Sequence, residues 1–263
     1  MDRPVSTQET EKRSCRDCPV DIHSHTVWGA DDGAGSPEEA LELIRLDREE
    51  GIRVVFSTPH YGIENGYAPD RDTVRERFLQ LSRTIKEKQP DMRLFPGTEW
   101  YCAEDIPERI RRREAFPLGS SDWYLVEFLE YGEVSEPAEV ILGRLRKLKD
   151  SKINTVLAHP ERYKAIQEDP DLAKRICDLG VLLQVNAYDL FLNKKETTRN
   201  LAQWMAKEHL ISFIGSDMHG LPPKCTPRMK EGIQWLYENV EKEYADDIVR
   251  RNAERYLGVE KIG

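Results

Sequence analysis

The chain has 263 residues, a formal net charge of −9 and 33% charged residues. That length suits one large domain with a sizeable core, and the acidic balance, without a clustered Lys/Arg block, excludes a broad basic surface for nucleic acid. No apolar run reaches the roughly eighteen residues that a bilayer-spanning helix needs.

The opening "MDRPVSTQETEKRSCRDCP" is polar and lacks the apolar stretch of a secretory signal. A flexible leader is expected over 1–19, followed by one domain over 20–263 in the cytoplasm. Five scattered cysteines fit a reducing compartment. Cys15 and Cys18 form a lone Cys-x-x-Cys with no second pair to complete a zinc site, so a loosely docked leader is favoured over a redox or metal role.

The first predicted strand is "VDIHSH" (20–25). The helix after it begins "SPEEALELIRLDREEG": Ser36 is the N-cap, Pro37 sits at the first helical position, Glu39 completes a capping box and Gly51 supplies the stop. Then come "RVVFST" (53–58), a helix near 70–89, "RLFPGTEW" (93–100), "WYLVEF" (123–128) and a helix near 137–150. "INTVLAH" (153–159), a helix near 171–179, "VLLQVNA" (181–187), a helix near 195–208, "ISFIGS" (211–216) and a helix near 228–257 complete the chain. Seven strands separated by helices predict an α/β fold with a parallel sheet or barrel, because crossover helices link parallel neighbours.

Five of the six histidines fall at predicted strand ends: His23, His25, His60, His159 and His219. His209 precedes its strand and reads as structural. Asp32, Glu99, Glu127 and Asp217 occupy similar positions. In a parallel barrel the carboxyl ends of the strands converge on one face, and residues two apart share a face, as His23 with His25 and Asp217 with His219. Imidazole plus carboxylate favours Zn, Mn or Fe. The set exceeds what one four-coordinate ion can use, which points to two or three ions sharing a carboxylate. Each fragment alone is weak: a His-x-His is usually structural or solvated, "DDGAGSPEE" is also a turn, and Glu99 or Glu127 alone is an ordinary strand-end residue. The joint placement carries the reading.

In this order, "DIHSH", "STPHY", "GTEWY", "YLVEF", "LAHPERY", "LLQVNA" and "GSDMH" resemble the polymerase-and-histidinol-phosphatase (PHP) superfamily. Within it they are most similar to the metal-dependent bacterial protein-tyrosine phosphatases found with capsule and exopolysaccharide genes. The resemblance spans Val20 to Leu257. It implies a distorted seven-stranded β/α (TIM-like) barrel with a trinuclear centre of divalent ions, Mn first and Fe or Zn as alternatives. It implies one ion on His23, His25, Glu99 and Asp217, a second on Asp32, His60 and His219, and a third on Glu127 and His159, with Glu99 bridging. His159 and Arg162 become catalytic, Arg162 holding the phosphate as a bidentate guanidinium can. The family often carries a second phosphate-binding Arg after the last motif; here "GLPPKCTPRM" offers Lys224 or Arg228.

The implied reaction is in-line attack on phosphorus by a hydroxide held between ions. No cysteine has an arginine six positions later, so the cysteine-dependent route to phosphotyrosine hydrolysis is absent. The implied substrate is a phosphotyrosine protein, a tyrosine autokinase controlling polysaccharide assembly. A small-molecule phosphatase such as histidinol phosphatase and a non-catalytic metal-binding domain are the alternatives. Tyr61, Trp100, Tyr101, Tyr163 and Tyr188 either stack on the substrate ring or pack the rim, readings of equal weight. Homo-oligomerisation around a barrel edge stays open.

Overall fold

The computed structural model describes residues 18–62, 64, 66–131, 134–192, 195–222 and 227–259. Lys224, Cys15 and nearly all of the expected leader lie outside the described residues. The elements in order are β1 (Val20–Ser24), α1 (Pro37–Glu49), β2 (Val54–Ser57), β3 (His60–Tyr61), α2 (Arg71–Lys88), β4 (Arg93–Pro96), β5 (Glu99–Tyr101), α3 (Ile106–Arg111) and β6 (Trp123–Glu127). A short antiparallel pair, β7 (Glu130–Tyr131) and β8 (Val134–Ser135), precedes α4 (Ala138–Asp150), β9 (Asn154–Ala158), α5 (Lys164–Glu168), α6 (Asp171–Asp178) and β10 (Leu182–Asn186). The chain ends with α7 (Glu196–Lys207), β11 (Ile211–Gly215), α8 (Met229–Asn239), α9 (Lys242–Asp246), a π-helical turn over Asp247–Arg251 and α10 (Asn252–Tyr256).

All seven predicted strands are present; the one expected over 93–100 is interrupted, and β3 is a short addition just beyond the one expected over 53–58. Pro59 removes a donor between β2 and β3, and the break between β4 and β5 falls at Gly97 and Thr98. A Cβ on Gly97 would stand 2.7 Å from Thr58 Cγ2, so only glycine lets the strands approach here. Short parallel strands form two sheets, β1-β2-β4 and β11-β10-β9-β6-β5-β3, rather than one continuous ladder. The sheets meet beyond β1 and β11, where Asp217 N donates to His23 O at 2.8 Å and His25 N to Met218 O at 3.0 Å.

Alternation along the strands divides the core. Val54, Phe56, Leu125, Val156, Ala158 and Phe213 form one cluster, plugged by Leu118 and Leu257. Their neighbours Val55, Val126, Leu157, Leu183 and Val185 join the other, beneath the helices. Helix α1 starts as expected, Glu39 N donating to Ser36 Oγ at 3.1 Å, while the Glu39 side chain reaches one residue further than a capping box, to Gly35 N at 2.9 Å. Gly51, at φ +100°, turns the chain away. The long helix expected near 228–257 breaks at Val240, whose φ of −132° and ψ of 168° are extended. Helices α3 and α5, of 6 and 5 residues, are too short to show a helical period in sequence. Among the described residues, no helix is long and apolar enough to cross a membrane.

Candidate metal centre

The strand ends gather the nine candidate ligands around one mouth. His23 comes from β1 and His25 from the residue after it, His60 from β3, Glu99 from β5, Glu127 from β6, and His159 from the residue after β9. Asp217 and His219 follow β11, and Asp32 stands in the loop after β1. His159 and Asp217 hold left-handed backbones, at φ 35° and 53°, unusual for residues with a Cβ and frequent where a side chain is aimed at a site.

Glu99 is the hub. Its Oε2 lies 3.1 Å from His23 Nε2, 3.4 Å from His25 Nε2 and 3.0 Å from His60 Nδ1, and its Oε1 lies 2.9 Å from His159 Nε2. Asp217 Oδ1 faces the same nitrogens, 3.5 Å from His23 and 3.4 Å from His25. His60 Nδ1 also meets Glu127 Oε1 at 2.8 Å, while its Nε2 and that of His219 each stand 3.7 Å from Asp32 Oδ1. Ligand atoms of His23, His25, Glu99 and Asp217 all lie within 4.8 Å of one another, as do those of His60, Glu99 and Glu127.

This donor set fits a hard or borderline divalent cation. It is oxygen and imidazole without thiolate. Buried Glu99 Oε2 makes no hydrogen bond, nor does His60 Nδ1, although they lie 3.0 Å apart. Such crowding of unbonded donors and acceptors is what a shared cation resolves.

The electrostatics agree. Burial opposes charge on His23, yet the Glu99 and Asp217 carboxylates outweigh it and raise its pKa. Against the same penalty, Asp31 raises His25, and Glu99 with Glu127 raise His60, both well above the ordinary imidazole value. Burial would lift Glu99 and Asp217, but the surrounding imidazoles, joined at Asp217 by Arg162, hold both well below the carboxylate range. His219 goes the other way: burial and the neighbouring His25 lower it to about 4.

Residues that are not candidate ligands hold the ligands in place. Asp31, not singled out in the sequence, accepts from His25 Nδ1 at 2.7 Å and from His60 N at 2.8 Å. Gln184 Oε1 accepts from His23 Nδ1 at 2.8 Å. Arg162 donates through Nε to Asp189 at 2.8 Å and through Nη1 to Asp217 Oδ2 at 2.7 Å.

A cavity of about 220 Å³ opens over the cluster. Asp32, His60, Glu127, His159, Arg162 and His219 line its polar side, and Tyr101, Phe128 and Leu129 supply an apolar one. Of the five aromatic candidates, only Tyr101 lines it. Trp100 and Tyr163 are core residues, 1% and 0% exposed, and Tyr61 is turned to Glu114, so rim packing and core describe them better than ring stacking. Arg228 stands at the start of α8, 3.9 Å from Glu231, and does not line the cavity. His209 lies apart, stacked on Tyr244 and paired with Glu241, in keeping with a structural role.

Parallel strands delivering imidazoles and carboxylates to their carboxyl ends define a metal-binding α/β protein of the kind that carries hydrolytic chemistry. The chain belongs to the capsular polysaccharide synthesis family CpsB/CapC, whose model matches residues 19–258. It is 27% identical to the tyrosine-protein phosphatase CpsB of Streptococcus agalactiae over 243 residues, 90% of this chain and 98% of that protein. It is 30% identical over 202 residues to the putative tyrosine-protein phosphatase CapC of Staphylococcus aureus, 77% of each chain. The fold is similar, at a TM-score of 0.80 and 25% identity, to a solved chain from the crystal structures of YwqE of Bacillus subtilis and CpsB of Streptococcus pneumoniae, metal-dependent tyrosine phosphatases. That match covers 91% of this chain and 94% of the solved one.

Proposed function

We propose that this chain is a metal-dependent protein-tyrosine phosphatase. The observation that carries the reading is the convergence of all nine candidate ligands on one mouth with Arg162 beside them. His23, His25, Glu99 and Asp217 would hold one ion, Asp32, His60 and His219 a second, and Glu127 and His159 a third, with Glu99 shared. His60 would stand between the last two, because its Nδ1 faces Glu99 and Glu127 while its Nε2 faces Asp32. Mn is the ion we favour from the family resemblance, and the oxygen-and-imidazole donor set admits it along with Fe and Zn. Taking β2 with β3 and β4 with β5 as single interrupted strands, the two sheets would make one distorted seven-stranded barrel, an arrangement supported by the hydrogen bonds between the ends of β1 and β11.

Bound ions supply Lewis acidity and lower the pKa of water at the site. Arg162, with Nε and Nη1 fixed by Asp189 and Asp217, presents its positive head to the cavity, where it would orient and neutralise a phosphoryl group. Tyr101, Phe128 and Leu129 would receive the aryl ring and exclude water from one side of the ester. The substrate would be a phosphorylated tyrosine autokinase of the polysaccharide machinery, met in the cytoplasm.

Assay of the manganese-supplemented protein on a phosphotyrosine peptide and on histidinol phosphate side by side tests this. The reading expects the higher kcat/KM on the peptide. Equal or better turnover of histidinol phosphate overturns it in favour of a small-molecule phosphatase.

A further inference from the structure

Strand β10 carries none of the nine candidate ligands, yet two buried amides on one of its faces reach two of them. Asn186 Nδ2 donates to Asp217 Oδ2 at 2.9 Å, and Gln184 Nε2 donates to Asn186 Oδ1 at 2.7 Å. Gln184 Oε1 then meets His23 Nδ1 at 2.8 Å. Gln184, Asn186 and His23 are each 0% exposed and Asp217 is 4% exposed, so water does not substitute for these bonds.

The direction of this chain is dictated from its carboxylate end. An ionised carboxylate only accepts, so Asn186 must turn its NH₂ to Asp217 and its oxygen to Gln184. Gln184 must then turn its NH₂ to Asn186 and its oxygen to His23. That oxygen requires a proton on His23 Nδ1, so in the neutral ring that would take a cation the lone pair is on Nε2, the nitrogen 3.1 Å from Glu99. At the other end, Arg162 Nη1 and Asn186 Nδ2 occupy Asp217 Oδ2, leaving Oδ1 toward His23 and His25. Gly215 lies against the relay: a Cβ there would stand 2.9 Å from Gln184 Nε2 and 2.7 Å from His23 Cβ.

We propose that Gln184 and Asn186 form a polarised amide relay that sets the His23 tautomer and the presenting oxygen of Asp217, making both positioning residues for the first cation. The inference rests on the metal-centre reading but not on the identity of the substrate.

The test uses Mn titration by calorimetry on the full chain, with long-range ¹H–¹⁵N correlation of the His23 ring in metal-free protein at alkaline pH. Asn186→Leu does not touch His23, yet it frees Gln184 to flip, so an Nε2–H tautomer should appear and Mn affinity should fall about 10- to 100-fold. Gln184→Met should lose affinity by the same order. Gln184→Glu, which still accepts from Nδ1–H, should restore the tautomer and part of the affinity. An unchanged His23 tautomer with unchanged Mn affinity in folded Asn186→Leu overturns the relay. Should that variant not fold, equal affinities for the Gln184→Met and Gln184→Glu proteins overturn it instead. Failure of the unmodified protein to bind Mn overturns the metal centre itself, whereas poor phosphotyrosine turnover with intact relay behaviour overturns only the phosphatase reading.

Discussion

Neighbouring aspartates Asp31 and Asp32 should separate stability from activity. The Asp31 side chain is fully buried and accepts three hydrogen bonds: from His25 Nδ1 at 2.7 Å, His60 N at 2.8 Å and Gly33 N at 2.9 Å. The His25 imidazole overcomes the burial penalty and holds the Asp31 pKa below the usual range, so the carboxylate is ionised at neutral pH. Asp31→Ala strands three donors at about 1 to 1.5 kcal/mol each, a loss of about 3 to 4.5 kcal/mol and roughly 10 °C in Tm for a chain of this size. Asp32 is 48% exposed, and its Oδ1 stands 3.7 Å from the nearest nitrogens of His60 and His219. Asp32→Ala should therefore change stability by no more than about 0.5 kcal/mol, yet remove a proposed ligand and with it most turnover. Urea unfolding of the metal-free variants, run beside phosphotyrosine-peptide turnover, reads both quantities. An Asp32→Ala protein destabilised as much as Asp31→Ala, or an Asp31→Ala protein unfolding at the unmodified midpoint, refutes the division of roles.

Three further outcomes are expected. His159→Ala should abolish peptide turnover while far-UV circular dichroism and Tm stay near those of the unmodified protein; near-normal rates remove His159 from the cluster. Gly215→Ala and Gly232→Ala both force a Cβ to within 3 Å of neighbours, and overpacking should destabilise each by about 1 to 3 kcal/mol. Only the first, which crowds His23 and Gln184, should also weaken Mn binding by calorimetry. Metal-free protein should lose stability as pH rises above about 6.5, because His25 and His60 have raised pKa values in the folded state and release protons there only at higher pH. His219, with a folded pKa of about 4, adds the opposite slope, losing stability as pH falls from about 6.5 to about 4. Tm against pH in chelator and in Mn checks this: the alkaline decline should be present in chelator and reduced by Mn, and a chelated Tm that rises above neutrality contradicts it.

The strands and ligands were legible because both rest on short-range pattern. "VDIHSH" places two histidines on one strand face by alternation alone, and Ser36 and Pro37 mark the start of α1 without any tertiary contact. What escaped reading depends on groups distant in sequence. Gln184 lies 161 residues from His23, and in "LLQVN" it and Asn186 are simply two polar residues in an otherwise apolar strand. Asp31 and Asp32 are indistinguishable in "DDG" until folding buries one and exposes the other. Trp100 and Tyr163 lie near predicted strand ends, as ring-stacking residues would, but their partners are the backbone groups Phe116 O and Phe128 N.

The central claim, phosphotyrosine hydrolysis dependent on a bound divalent cation, is tested most directly by one titration. Phosphotyrosine-peptide turnover is measured on protein stripped of metal by chelation, and again as Mn is returned with bound metal quantified at each point. The account predicts turnover near zero after chelation and recovery in step with metal bound. Full turnover by thoroughly stripped protein contradicts it.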